Sequence, residues 1–175
     1  MSSPASEISV MLCSDLGADV IEKFLTRYGI GAEWVAADSP ITGSFWGPPE
    51  AGIVRQQVFV RPDTPVHSLL HEVCHIICMT PDRREALDGN AGSDDIEESA
   101  VCYLQVVLAD YLPGVGRRRL MQDMDSWGYS FRNGTTERWF VDDAEDAHDW
   151  LVAEGILTMA GDPVFRLRGV DEIII

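Results

Sequence analysis

Positive charge is scarce in this chain. Its 175 residues include 13 Lys and Arg against 29 Asp and Glu, for a formal net charge of −16 and a pI near 4.4. Nucleic-acid phosphates and anionic membranes are gripped by clustered Lys and Arg, so no nucleic acid and no membrane is expected as a partner. The only basic run, Arg117-Arg118-Arg119, reads as a solvated helix face. An acidic surface favours solubility and a basic or neutral protein partner. Long apolar runs are missing too, and no stretch is long enough to cross a membrane. The start, Met1-Ser2-Ser3-Pro4-Ala5-Ser6-Glu7, has neither the basic residues nor the apolar segment of a secretory signal. Cysteine is limited to Cys13, Cys74, Cys78 and Cys102. Three of these fall on two predicted helices, which argues against a disulfide framework and for reduced thiols in a cytoplasmic protein. There is no repeat, low-complexity stretch or linker. At 46% hydrophobic and 24% charged, residues 1–175 have the composition of one compact domain with a real core.

Against this background one motif stands out, His71-Glu72-Val73-Cys74-His75, an H-E-x-x-H. Residues four apart lie one above the other on a helix, so two imidazoles at this spacing can share one metal ion. The glutamate between them is set about a third of a turn away, where it reaches a metal-bound water as a general base without being a ligand. The surroundings fit a helix. Residues 52–61 are rich in β-branched side chains and read as a strand. Pro62-Asp63-Thr64-Pro65 then stops the strand and starts a helix over 65–80, with Thr64 as cap, Pro65 at the first position and Pro81 as terminator. At about 100° per residue, Leu69, Leu70, Val73, Ile76 and Ile77 form a core side, while His67, His71, His75 and Cys78 form the opposite side. Cys78, one turn beyond His75, reads as a small buried residue or as a redox-sensitive neighbour of the metal.

A catalytic site of this kind needs a third protein ligand and an open position. Ser93-Asp94-Asp95 opens a second helix that runs to Leu108 and ends near Leu112-Pro113-Gly114. On its wheel, Ile96, Ala100, Val101, Tyr103, Leu104, Val107, Leu108 and Tyr111 make an apolar stripe. Glu97 lies inside this stripe, whereas Glu98 points sideways, near Gln105. A carboxylate on a core face is costly unless a cation offsets it, so the wheel selects Glu97 as the third ligand.

These residues resemble the gluzincin branch of zinc metallopeptidases. Glu97-Glu98-Ser99-Ala100 is similar to the Glu-x-x-Ala pattern of small bacterial members, including phage-repressor-cleaving and radiation-response regulator peptidases. The resemblance covers about residues 52–112 and implies Zn2+ held by His71, His75 and Glu97, with Glu72 catalytic. It departs at Val101, where those families carry Asn or Asp, so the group that orients a histidine is left unassigned. A second resemblance, over residues 57–63, 68–78 and 83–84, is to the elongation factor P hydroxylase family, which implies Fe2+ in the same site and hydroxylation of a partner protein.

The remaining segments set the fold. A strand is predicted over 8–12, a helix over 16–28, turns and loop over 31–50, a link over 81–93 that is long enough for a short extra helix, and helices over 115–126 and 142–154. His148 falls on the acidic wet face of the last helix, with a substrate contact as its other reading. Two apolar segments around Gly161-Asp162-Pro163 predict a C-terminal β-hairpin. The expected fold class is α+β, a single zincin-like domain with a small sheet packed on the H-E-x-x-H helix and a helical second half. The expected function is a zinc-dependent metallopeptidase acting on a protein or peptide. The strand at 52–61 is a candidate edge for pairing with that peptide. The alternatives are a non-heme iron hydroxylase and a non-catalytic metal-binding interaction protein.

Overall fold

The computed structural model describes residues 9–132 and 134–170. The protein is α+β, with a three-stranded sheet and a mainly helical second half. In chain order the elements are α1 (Cys13–Leu16), α2 (Ala18–Thr26), β1 (Gly31–Trp34), β2 (Gly52–Val54), β3 (Gln57–Val60), α3 (Val66–Cys78), α4 (Pro81–Glu85), α5 (Asp95–Ala109), α6 (Gly116–Trp127), α7 (Thr136–Asp142) and α8 (Glu145–Ala153). Among the described residues no helix is long and apolar enough to cross a membrane.

The sheet order is β1-β3-β2, with β1 parallel and β2 antiparallel to β3. The stretch expected to be one strand is thus a hairpin. Val54 pairs with Gln57 across the two residues Arg55 and Gln56, and Arg55 takes the left-handed backbone (φ 52°). Asn or Gly usually marks such a turn, and neither occurs here, so the sequence carried no signal for it. The placement of β1 inside the expected loop 31–50 is a second correction. A third concerns the peptide-pairing edge. β3 is central, and the outer edge of β2 is already filled: Ile53 N–H donates to the Gly43 carbonyl, Gly89 N–H donates to the Ile53 carbonyl, and Arg55 N–H donates to the Leu87 carbonyl. Gly52 makes this cover possible, because a Cβ there would lie 1.9 Å from the Thr42 carbonyl oxygen.

α3 follows β3 directly. Its start differs from expectation in two respects: Pro65 is the cap and not the first helical residue, and the Thr64 hydroxyl accepts from Arg61 N–H at 2.9 Å and closes the preceding turn, rather than capping the helix. The far end is tied by arginines. The Arg84 side chain donates to the Ile76 and Met79 carbonyls, and Arg168 donates to the Cys78 carbonyl, placing cations where the helix dipole favours them. α5 packs on α3, α6 and α8, and both α3 and α5 are buried along most of their length. Leu69, Leu70, Ile76, Ile77, Leu104 and Leu108 are fully buried between them and their neighbours. Truncating any of these to Ala would cost about 2–5 kcal/mol.

The N-terminal strand expected over 8–12 falls partly outside the described residues. Within them it is reduced to a single bridge from Leu12 to Pro65 before α1 begins. The C-terminal hairpin is also corrected. Thr158 N–H donates to the Asp162 carbonyl and Val164 N–H to the Ile156 carbonyl, but among the described residues of this segment only one bridge, Leu157 to Pro163, forms. Pro163 has no N–H to continue a ladder, and Phe165 at φ 59° turns the chain away from extended geometry. Residues 171–175 of that prediction lie outside the described residues.

Candidate metal centre

α3 places His71 and His75 one turn apart, with their Nε2 atoms 3.2 Å from each other. Glu98, in the first turn of α5, completes the group: its Oε1 lies 3.1 Å from His71 Nε2 and its Oε2 lies 3.3 Å from His75 Nε2. Tetrahedral coordination with bonds of 2.0–2.1 Å separates ligand atoms by about 3.3–3.4 Å. Two imidazoles and one carboxylate at 3.1–3.3 Å therefore fit a single Zn2+ or Fe2+ with a position left over. Ser93 steadies the carboxylate by donating to Glu98 Oε2 at 3.0 Å.

The carboxylate that the structure brings to the two histidines is thus Glu98, and not Glu97 as expected. Glu97 is buried, but both its oxygens accept from Arg83 Nη1, at 3.0 and 2.9 Å, and Arg168 stands 3.9 Å away. Its core-side carboxylate is offset by guanidinium groups, not by a metal. α5 does not turn its apolar stripe toward the histidines. α5 is enclosed on several sides, and the side facing the histidines of α3 carries Glu98, Cys102 and Gln105.

Gln105 supplies the orienting contact that Val101 cannot. Its Oε1 stands 3.1 Å from His71 Nδ1, which sets that nitrogen as the N–H donor and leaves Nε2 free to bind a cation. Gln105 is itself fixed by donating to the His67 carbonyl at 2.7 Å, and more weakly to the Tyr129 hydroxyl at 3.4 Å. A signal for Gln105 was present in the sequence: spacings of four and three link Glu98, Cys102 and Gln105 into a polar line on a helix that is otherwise largely apolar.

The electrostatics follow burial and charge pairing. Burial works against charge on Glu98, but its hydrogen bond to His71 and the pull of both histidines hold its carboxyl down at about 2. Burial and the neighbouring His71 push His75 down to about 3. Burial also opposes a cation at His71, yet Tyr129, Glu98 and Cys102 outweigh it and hold that imidazole well above its ordinary range. A metal ion held between His71 and Glu98 would take the place of a proton shared by those two groups.

Glu72 is nine-tenths buried and lines the clefts beside the two histidines. Desolvation, with the charges of Glu98 and Glu50 adding to it and His71 opposing it, pushes its carboxyl up to about 7. Ligand-type atoms of Glu72, His71 and His75 all lie within 4.8 Å of one another. Two clefts meet at this point. The larger, about 670 Å³, is walled by Trp46, Trp127, Phe131 and Trp139, and the smaller, about 260 Å³, by the loop 89–93. Both include His71, Glu72 and Glu98.

The other singled-out residues lie elsewhere. Cys78 is fully buried, and burial with nearby Glu97 pushes its thiol up, so it packs as a small inert side chain. His148 stands 3.2 Å from Asp149 and edge-on to Tyr103, and it lines neither cleft at the metal centre. Cys102, by contrast, lines the larger cleft beside His71 and Glu98. No family model, curated protein or solved structure matches this chain.

Proposed function

We propose that the protein is a zinc-dependent peptidase whose metal is held by His71, His75 and Glu98. The observation that carries this reading is the place of Glu72, a mostly buried residue beside both imidazoles that opens onto both clefts. A purely structural metal site has no use for such a group, since it closes its coordination and buries no spare carboxylate at its mouth. When bound, zinc supplies Lewis acidity, which lowers the pKa of a water toward 7 and polarises a carbonyl.

The side chains do the rest. Glu72 would accept the proton of the attacking water and return it to the departing amine nitrogen, a role its place beside both imidazoles allows. Gln105 holds His71 in the tautomer and orientation that coordination requires. With the edge of β2 already filled, an extended substrate is received by the two clefts that Trp46 lines and not by pairing with β2.

The test uses zinc-loaded protein, a proteome-derived peptide mixture and mass-spectrometric detection of new termini. Cleavage that vanishes in Glu72→Gln while zinc content stays the same supports the reading. An absence of new termini, or equal cleavage by the variant, overturns it. Elemental analysis of protein purified without added metal decides between zinc and Fe2+.

A further inference from the structure

Glu50 lies in the larger cleft, beside the metal centre, and has no part in the chemistry above. Both of its oxygens are fixed. Oε1 accepts from Trp127 Nε1 at 2.8 Å, and Oε2 accepts from the Ser68 hydroxyl. Ser68 is anchored in turn, since its oxygen accepts from Ala51 N–H at 2.9 Å. A carboxylate offers about four acceptor positions, so two donors leave it able to accept more from the cleft. No Lys or Arg lines this cleft among the described residues. The nearby carboxylates Glu72 and Glu98 belong to the metal centre, which leaves Glu50 as the fixed negative charge with no cation of its own.

The walls around it are aromatic. Phe131 and Trp139 stack at 4.6 Å, Trp127 is pinned by its bond to Glu50, and Trp46 is 76% exposed at the mouth. Aromatic faces attract cations, guanidinium groups above all, and a carboxylate held in place accepts a guanidinium with paired hydrogen bonds. An apolar side chain would be received by the rings but would gain nothing from the free acceptor positions of the Glu50 carboxylate.

We propose that this part of the cleft is a subsite for a positively charged side chain of the substrate, Arg or Lys, with Glu50 as the residue that sets the preference. The proposal rests on the peptidase reading of the adjacent metal centre. Glu50 also ties the loop 41–50 to α3 and α6, but a tie alone creates no preference between side chains. Selectivity is therefore the decisive readout.

The probes are N-acetyl-arginine hydroxamate and N-acetyl-norleucine hydroxamate, titrated calorimetrically into zinc-loaded and zinc-stripped protein and into Glu50→Gln. The arginine probe is expected to bind the zinc-loaded protein at least tenfold tighter. That preference should disappear in Glu50→Gln, while norleucine affinity changes less than about threefold. Equal affinity of the two probes for the unaltered protein overturns the subsite, and that comparison stands even if the variant does not fold. A preference that survives in Glu50→Gln removes Glu50 as its source and overturns the proposal. A preference for arginine that is indifferent to zinc keeps the subsite and overturns the peptidase reading. Binding of neither probe overturns both.

Discussion

Gln105 Oε1 lies 3.1 Å from His71 Nδ1, reaching across the interface between α5 and α3. This contact joins the two helices at the candidate metal centre and leaves Nε2 as the nitrogen that His71 would offer to a cation. It is also buried, since Gln105 has no solvent exposure.

Replacing Gln105 with Leu should therefore lower zinc affinity about 10–100-fold while leaving the ligand set intact. Tyr129→Phe removes the 3.4 Å contact to Gln105 and the 3.2 Å contact to His67, leaves the bond between Gln105 and His71 in place, and should change affinity far less. Competition with a chromophoric chelator measures both. An unchanged affinity for Gln105→Leu would exclude its orienting role.

The adjacent acids Glu97 and Glu98 should separate cleanly. Glu98→Ala is expected to abolish tight metal binding. Glu97→Ala should keep the metal but unfold more easily, by about 1–3 kcal/mol, because Arg83 loses its partner. Metal content together with urea denaturation tests this pair. Equal metal loss in both variants would contradict the geometry.

Metal and folding should be linked. Zinc at about a hundred times its dissociation constant should raise stability by about 2.7 kcal/mol, since the unfolded chain holds no preformed site. A chelator should reverse the gain in the unaltered protein and have no effect on His71→Ala. Thermal unfolding with and without chelator reads the difference.

Glu72 gives a pH signature in chelated protein. Its folded-state carboxyl sits at about 7, above the ordinary value of 4.5. The folded state therefore holds a proton that the unfolded state releases. The contribution is fully present below about pH 4.5 and is lost as pH rises through about 7, for a change of about 3 kcal/mol. Glu72→Gln should flatten this fall in stability across the interval. Denaturant titrations at several pH values decide, and an identical slope in the variant would refute the burial argument.

Much of this protein follows from local pattern. The spacing of His71, Glu72 and His75 fixes two imidazoles and one carboxylate on a single helix, because a four-residue step is close to one turn. The α+β class and the helices 65–80 and 93–108 follow from periodicity and breakers, which act over a few residues. Tertiary structure decided the rest. A helical wheel gives directions about a helix's own axis but not its rotation against a neighbour. Glu97 and Glu98 could therefore be told apart only once Arg83 had claimed the first and the histidines of α3 the second. The filled edge of β2 depends on Gly43, Leu87 and Gly89, which approach from separate loops. The fixed carboxylate of Glu50 depends on Ser68 and Trp127, 18 and 77 residues away. Such convergence is set by how the packed core seats its elements, and no local stretch of sequence encodes it.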